Sequence, residues 1–521
     1  MRIYDTRTAQ KQEFVPEHDP VRMYVCGLTP KNEPHIGHAK MFVTADLIRR
    51  YLEYRHYRVQ YVQNVTDVDD KIIARAREEG ITPAAVAAKY SASYFASVEA
   101  LYCRPAQVYP TVTEAIPGII AMIEGLIERA YAYTVAGDVY YRVSRFPTYG
   151  QLSKRDTATD NQIGRGLEAR SKEATPTEID TGGSEEGERA KEDARDFALW
   201  KAAKPGEPNW PSPWGPGRPG WHIECSTMVR QELGDTVDIH GGATDLIFPH
   251  HENEIAQSEA FTDKAPFVKY WTHFGTLNIV STTADGEEKV EKMSHSLGNF
   301  ITIKGILERY EPTVLRLFLL SQHYRTPVIY TEHSLAEVER GWDRLRTAAH
   351  NLDLLLAWPP MQATQADEPV ELEMRKETRR LLEQTENALT RFHEGMDDDF
   401  NTAQSIAALY DLAAEINRCK DFLNKPALIN PTAKGAIEGA KKTFQLIMDV
   451  LGFVVPPEGP AVESPEYIAE IEQLIARREE LRRDRDYAGA DAVRDEIRRR
   501  GVVVEDHPQG KRWRRLRRNE G

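Results

Sequence analysis

Residues Met23–Thr29 read MYVCGLT; after a turn-rich PKNEP the chain continues as HIGHAKMFVTADLIRRYLEYR over His35–Arg55 and RVQYVQNV over Arg58–Val65. The first stretch is a short apolar run of the kind that forms a buried strand. In the second, Val43, Leu47 and Tyr51 recur every four residues, the spacing of one apolar helix face. The third is strand-like again, and TDVDDKIIARAREEG after it is helical in pattern. Strand, helix and strand at this spacing predict an α/β fold with a parallel sheet, whose ligands sit at the carboxyl ends of the strands.

Further along, the pattern changes twice. Residues 156–195 are polar, dotted with Gly, Ser and Thr, and almost free of large apolar side chains. Such a segment cannot bury enough surface to offset its ordering entropy, so an exposed, disordered insertion is expected. The NWPSPWGPGRPGWHIEC that follows holds a literal G-x-G-x-x-G at Gly215, Gly217 and Gly220, but Pro216 and Pro219 fill its variable positions and no strand leads in. It is not a dinucleotide loop, and no Walker phosphate loop exists. From about Glu308 the chain is mainly helical, with four long amphipathic stretches beginning at Ser334, Glu371, Thr402 and Lys434, an all-α bundle. PPEGPAVESPE is a linker. One long charged helix from Tyr467 to Arg500 and a strand at GVVVED are expected after it.

Composition sets limits on function. Hydrophobic residues at 41% and charged residues at 28% are ordinary for a soluble globular protein. No stretch approaches the roughly 18 apolar residues of a membrane helix, and MRIYDTRTAQ lacks the apolar core of a secretory signal. A cytoplasmic protein with no membrane partner is expected. The net charge of −14 argues against indiscriminate nucleic-acid binding by the whole surface. The final KRWRRLRRNEG is nevertheless basic around Trp513, which suits either an acidic partner or a solvated tail. The four cysteines, Cys26, Cys103, Cys225 and Cys419, form no close CxxC pair and no disulfide framework. A buried small hydrophobe is the ordinary role for each, and the neighbours of Cys26 and Cys225 set those two apart.

FPHHENEIAQSEA, Phe248–Ala260, crowds two histidines and three carboxylates together. A helix starting just past Pro249 would put His250 and Glu254 on one face and turn His251 and Glu252 elsewhere. The zinc-protease pattern H-E-x-x-H fails because Ile255 occupies its last position, so any further metal ligands must come from other segments. His35 and His38 fall one turn apart at a helix N-terminus, where free N–H groups and the dipole attract phosphate. Lys292, in EKMSHSLGNF, lies in a polar, Gly-containing loop suited to neutralising a leaving pyrophosphate.

HIGH and KMSHS, about 250 residues apart on an α/β framework, resemble the HIGH and KMSKS signatures of class I aminoacyl-tRNA synthetases. MYVCG, NVTDVDDKI, RPGWHIECS, DIHGG, LIFPHHENEIAQS and DDDFNTAQSIAAL narrow the resemblance to the cysteinyl-tRNA synthetase family, almost end to end outside 156–195. Two positions depart from it. His295 stands where the family usually has lysine, and Ala243 where a third glycine usually follows Gly241 and Gly242.

The resemblance implies a Rossmann-like nucleotide-binding catalytic domain over 1–307 and a stem-contact connection over 308–340. It implies a tRNA-binding helical bundle over 341–455 and a small mixed anticodon-binding domain over 465–521. The implied activity is that of a cysteine–tRNA ligase: cysteine, ATP with Mg2+ and tRNA(Cys) are its partners, and a monomer is expected. One zinc per chain would sit on Cys26, Cys225, His250 and Glu254, a tetrahedral donor set that would take the substrate thiol as thiolate. A zinc that only braces the fold is the alternative. His35 and His38 would stabilise the α-phosphate, with Lys292 and His295 on the pyrophosphate. Thr66 and Trp221 would line the cysteine pocket, and Asp245 would hold the ribose or the ammonium. Asp506 and Trp513 would meet the anticodon by accepting from base amino groups and by stacking. Two other readings cover part of the pattern: the related ATP-dependent ligase that joins cysteine to an amino sugar in thiol biosynthesis, and a catalytically silent zinc protein that binds tRNA.

Overall fold

The structure is a computed structural model and describes residues 1–155, 190–282, 288–293, 300–357, 368–423, 431–456, 465–500, 502–507 and 510–515. Residues 156–189 of the expected insertion, and His295, lie outside the described residues. The chain divides into two units. The first comprises Met1–Trp342, Arg391–Ile406 and Asp449–Phe453; the second comprises Asp343–Thr390, Ala407–Met448 and Val454–Gly521.

The first unit opens with an antiparallel hairpin, β1 (Arg2–Asp5) and β2 (Gln10–Glu13). The quoted stretch then folds as β3 (Val21–Leu28), α1 (Ile36–Tyr54) and β4 (Val59–Val65). Helices α2 (Asp70–Glu79), α3 (Pro83–Ala100) and α4 (Val112–Glu128) follow. Asp69 caps α2 by accepting from the Lys71 amide at 2.7 Å, which satisfies one of the unpaired amides of its first turn. Next come β5 (Ala132–Val135), β6 (Asp138–Tyr141), β7 (Phe197–Ala202) and β8 (Gly217–Pro219), a four-stranded antiparallel sheet. The sequence reading did not foresee this sheet, because its strands are short and residues 142–196 separate the second from the third. It leads directly into α5 (Trp221–Leu233).

Strand β9 (Val237–Ala243), helix α6 (Glu252–Thr262) and strand β10 (Val268–Phe274) complete the central layer. The sheet order is β10-β9-β3-β4 with every pair parallel, as Met23↔Tyr61, Met23↔Ile239 and Tyr270↔Ile239 show. This is the α/β architecture the sequence predicts. The carboxyl ends of its strands bring Cys26, Val65, Gly242 and His273 to one edge of the sheet. A large apolar core packs against it, with Tyr24, Val62, Ile119, Trp200, Met228 and Trp271 all fully buried or nearly so.

A second small sheet consists of β11 (Leu277–Thr282), β12 (Glu288–Lys292) and β13 (Val328–Tyr330), with α7 (Ile303–Leu307) and α8 (Pro312–Leu320) between the last two strands. Lys292 therefore ends a strand, in register with Asn278, where a loop was expected. The main-chain pairing with β11 overrides the polar composition of the segment. Beneath α8 lies a buried ion pair. Arg316, fully buried, pairs with Asp46 of α1 and donates to the carbonyls of Leu451 at 2.7 Å and Leu101 at 3.2 Å. Asp399, in the DDDFN stretch, is also fully buried and accepts from the Tyr4 amide (2.9 Å), the Tyr324 hydroxyl (2.8 Å) and Arg325 (2.9 Å). Cys103 packs beside Arg316 as a buried thiol, and burial raises its pKa to about 12.

Four long helices follow, α9 (Glu332–Ala357), α10 (Glu368–Asp397), α11 (Thr402–Leu423) and α12 (Pro431–Leu451), close to the expected stretches. Within the second unit, Asn351 donates to Asn417 at 2.7 Å and Lys441 pairs with Asp353 at 2.7 Å. Glu377, Glu415 and Cys419 cluster there, and the guanidiniums of Arg418 and Arg380 already neutralise the carboxylates. The end of the chain corrects the sequence reading. The single charged helix expected over 467–500 is a hairpin of α13 (Pro465–Arg483) and α14 (Tyr487–Arg499). Arg485 turns the chain at φ +62°, and the Asp486 carboxylate accepts from the Gly489 amide at 2.9 Å, which starts the second helix afresh. Ile471, Ile475, Val493, Ile497 and Val502 form its core. Antiparallel strands β14 (Val502–His507) and β15 (Gly510–Arg515) hold Asp506 and Trp513, in register with Lys511 and Val504 respectively. Among the described residues no helix is long and apolar enough to cross a membrane.

Candidate active site

His35 is the N-cap of α1, as its position in HIGH predicts. Its ring nitrogen accepts from the His38 amide at 3.3 Å, while the His35 amide donates back to the His38 ring at 3.2 Å. This reciprocal cap stacks the two imidazoles with centroids 3.6 Å apart. Gly37 is required between them, since a β-carbon there would lie 2.8 Å from the His35 ring. The chain just after KMSHS runs alongside: the Ile36 amide donates to the Ile301 carbonyl at 3.1 Å, and the Ile303 amide to the Pro34 carbonyl at 3.0 Å. The segment Ile301–Ile303 is thus tied to the helix N-terminus that carries His35 and His38.

The second half of the site lies at the end of β3. Cys26 and Cys225 place their sulfurs 3.9 Å apart, and the Glu254 carboxylate stands 3.6 Å from Cys26. His250 Nε2 is 3.0 Å from Glu254 Oε1, the i,i+4 contact that the sequence predicts. The helix itself starts at Glu252, after a wider turn over Ile247–His251. Glu252 does turn away, accepting from the amides of Gly150 (2.9 Å) and Ser153 (2.8 Å). His251 does not. Its Nε2 lies 3.3 Å from Cys26, because the wider turn rotates it inward, and Gly242 leaves it room: a β-carbon there would be 3.0 Å from the ring. One ligand atom each from Cys26, His250, His251 and Glu254 fall within 4.8 Å of one another.

Three further histidines enclose this cluster. His222 Nδ1 faces His250 Nδ1 at 2.9 Å, His240 Nε2 faces Glu254 at 2.9 Å, and His273 Nε2 faces His251 Nδ1 at 2.7 Å. The sequence reading quoted the segments of His222 and His240 without assigning them roles, and passed over His273. No local signal marks His273: it reaches the cluster through strand register, pairing with Gly242 while Trp271, two residues before it, pairs with His240. All these groups are buried. The hydrogen bond with Cys26 holds the Cys225 thiol down to about 6, against burial. Burial works against the His250 imidazolium, yet the Glu254 carboxylate and Cys225 push it up to about 10. Burial likewise opposes Glu254 ionisation, and His240 and His250 overcome it, holding the carboxyl at about 2. Burial, then the His240 imidazole, pushes His273 down to about 3 against the pull of Glu254.

The donors fit a metal ion. Two sulfurs bonded to zinc at about 2.3 Å with tetrahedral angles lie roughly 3.8 Å apart, close to the 3.9 Å between Cys26 and Cys225. Thiolates, a carboxylate and a neutral imidazole are the donors a divalent cation takes, and its charge would displace the proton that Glu254 and Cys225 draw to His250.

The other expected residues are placed as follows. Thr66 is buried, receives a hydrogen bond from Asn64 at 3.2 Å, and has its hydroxyl 3.5 Å from Glu224. Trp221 begins α5 and packs on His250 with ring centroids 4.3 Å apart, so it borders the cluster. Asp245 is exposed on the short turn after β9. Ala243 has φ −67°, an extended conformation open to any residue, so the absent glycine introduces no strain.

Comparison with known proteins agrees with this geometry. Residues 13–340 match the model of the class I (C) tRNA synthetase catalytic domain, 391–455 the DALR domain, and 464–514 the cysteinyl-tRNA ligase anticodon-binding domain. The cysteine–tRNA ligase of Geobacillus thermodenitrificans is 46% identical over 516 residues, 99% of each chain. That of Symbiobacterium thermophilum is 45% identical over 520 residues, again 99% of each. Among solved structures, Mycobacterium tuberculosis methionyl-tRNA synthetase in complex with methionyl-adenylate superposes with a TM-score of 0.56 at 16% identity. It covers 83% of this chain and 92% of its own, a likeness of fold alone. With the HIGH turn, the cysteine-containing cluster and near end-to-end relatives in agreement, the chain belongs to the cysteine–tRNA ligase family of class I aminoacyl-tRNA synthetases.

Proposed function

We propose that the chain activates cysteine with ATP and transfers it to the 3′ end of tRNA(Cys). The observation that carries this reading is the placing of Cys26, Cys225, His250 and Glu254 at the end of the strand that leads into the HIGH turn. In the first step the cysteine carboxylate attacks the α-phosphorus of ATP, and the bond to pyrophosphate breaks. His35 and His38, at the positive end of the α1 dipole, stabilise the charge that develops on the α-phosphate. Lys292 and His295 stabilise the departing pyrophosphate, and Mg2+ accompanies the nucleotide. In the second step the terminal ribose hydroxyl of tRNA attacks the cysteinyl carbonyl, AMP leaves, and the hydroxyl proton is lost.

Cys26, Cys225, His250 and Glu254 would hold zinc. When bound, zinc supplies a Lewis acid that takes the substrate thiol as thiolate. Serine offers a poorly acidic hydroxyl, and packing alone separates such near-isosteres by only about 1–3 kcal/mol. Thr66 and Trp221 border the same pocket, Asp245 contacts the ribose or the ammonium, and Asp506 and Trp513 meet the anticodon. Cysteine-dependent pyrophosphate exchange, measured beside tRNA charging, tests the whole reading. Both activities with cysteine and neither with serine are expected. Exchange without charging would indicate the thiol-biosynthesis type of ligase, and neither activity a silent tRNA-binding protein.

A further inference from the structure

Strands β7 and β8 pair antiparallel with Lys201 directly opposite Arg218. Both cationic side chains are almost wholly buried, 4% and 5% exposed respectively. Like charges opposite each other destabilise a strand pair, and burial raises the cost. The counterion comes from another segment. Asp70, half-exposed at the first position of α2, takes Arg218 Nη2 on one carboxylate oxygen and Lys201 Nζ on the other, the latter at 3.3 Å. Glu207 Oε2 lies 3.3 Å from Arg218 Nε. Two strands with no use for these charges would be better filled by apolar side chains of similar volume. What the charges achieve is to fasten the β7–β8 pair to the start of α2, next to the loop that carries Thr66.

Thr66 and Trp221, the residues assigned to the cysteine pocket, stand on the two sides of this junction. Thr66 lies 3.5 Å from Glu224, one turn into α5. Lys71, next to Asp70, holds its ammonium 5.9 Å from the centre of the Trp221 ring, and the same ring packs on His250. Trp221 is only three residues past Arg218, and the link between them is stiff. Pro219 is held in the strand opposite Trp200, and the Gly220 amide donates to the Leu199 carbonyl at 2.9 Å. A β-carbon on Gly220 would fall 2.0 Å from the Ala198 carbonyl oxygen, so the chain presses on β7 without slack. A shift of Arg218 therefore carries Trp221 with it.

We propose that Asp70 is a positioning residue of the cysteine pocket: through Arg218 and Lys201 it fixes β8, and so the place of the Trp221 ring beside the substrate. The ring then bounds a small side chain at a distance set by an ion pair outside the pocket itself. This inference rests on the place given to Trp221 in the proposed function.

The test measures cysteine-dependent pyrophosphate exchange with the full-length protein, purified with zinc present, and its variants. Asp70→Asn keeps the shape of the side chain and removes its charge. Misplacing a binding group by about 1 Å can cost about 100-fold, so KM for cysteine should rise about 10–100-fold. KM for ATP and kcat should stay within about twofold of wild type, since only substrate binding is weakened. Asp70→Glu, which restores the charge, should recover most of the loss. A role confined to stability would lower the unfolding midpoint and leave KM where it was. The path through Trp221 is read from a double substitution. In a Trp221→Ala background, Asp70→Asn should raise KM no further, because the ring on which Asp70 acts is gone. A KM for cysteine within about twofold of wild type in Asp70→Asn, an equal rise in KM for ATP, or additive effects in the double variant overturns the role of Asp70 and leaves the proposed function standing. Wild type without cysteine-dependent exchange overturns both.

Discussion

The Nε2 atom of His251 lies 3.3 Å from the sulfur of Cys26, closer than the 3.9 Å that separates Cys26 from Cys225. Two imidazoles, from adjacent residues, therefore reach one cluster. His250 contacts Glu254 at 3.0 Å, whereas His251 meets Cys26 and is backed by His273. Wild-type protein is expected to carry one zinc per chain. Cys225→Ala and His250→Ala should lose most of it together with cysteine activation, while His251→Ala should keep it. Elemental analysis of the purified variants decides the matter, and an active enzyme free of zinc would sink the metal reading.

Lys40 of α1 is buried, with its ammonium donating to the Thr326 carbonyl at 2.9 Å, and burial lowers its pKa to about 8. The unfolded lysine titrates near 10.4. Between these values the unfolded chain binds the extra proton, so stability rises with pH across that window. Below pH 8 both states are protonated and a constant cost of about 3 kcal/mol remains. Urea unfolding of wild type and Lys40→Met from pH 7 to 10 should show a difference that changes steadily above pH 8. Parallel curves would mean that Lys40 keeps its ordinary pKa.

Arg316 satisfies Asp46 and two main-chain carbonyls at a site closed to water. Arg316→Ala removes a donor from the Leu451 and Leu101 carbonyls and leaves Asp46 to Arg50 and the Arg104 amide, so it should cost about 1–3 kcal/mol in unfolding free energy. Gly452 lies directly against the same guanidinium: its φ is +68°, and a β-carbon would fall 2.4 Å from Arg316 Cζ. Gly452→Ala should therefore destabilise by about 1–3 kcal/mol through strain and displacement of Arg316. Denaturant midpoints within error of wild type would contradict both.

His295 carries a distinct pH signature. A lysine there would stay charged through neutral pH, whereas histidine has a reference pKa near 6.5, raised when ATP phosphates approach. His295→Lys should flatten the alkaline side of the single-turnover adenylation profile, and His295→Ala should cost less than Lys292→Ala. Superimposable profiles for wild type and His295→Lys would show that position 295 does not act through charge.

Deletion from Pro465 removes the α13–α14 hairpin and the strands bearing Asp506 and Trp513. Cysteine-dependent pyrophosphate exchange should survive nearly intact, and tRNA charging should fall. In the full chain, charging should weaken as salt rises, because phosphate contacts release counterions. Equal loss of exchange and charging would place the tail within the catalytic fold.

The sequence by itself determined the parallel β3–α1–β4 core, because an apolar run, a four-residue period and a second run are local signals that each specify one element. It also determined the His35–His38 cap and the His250–Glu254 pair, whose spacings of three and four residues lie within one helical turn. Only the tertiary structure decided the rest. The inward turn of His251 depends on a widened turn before α6 and on the space above Gly242, neither of which is written in local periodicity. The break at Arg485 rests on a single left-handed residue and one cap inside a continuously charged, helix-favouring stretch. Tyr24, His240 and His273 come from separate segments and meet only because β3, β9 and β10 pair in one register. Side chains brought together across strands leave no period in the chain, so their shared chemistry becomes visible only once the sheet has formed.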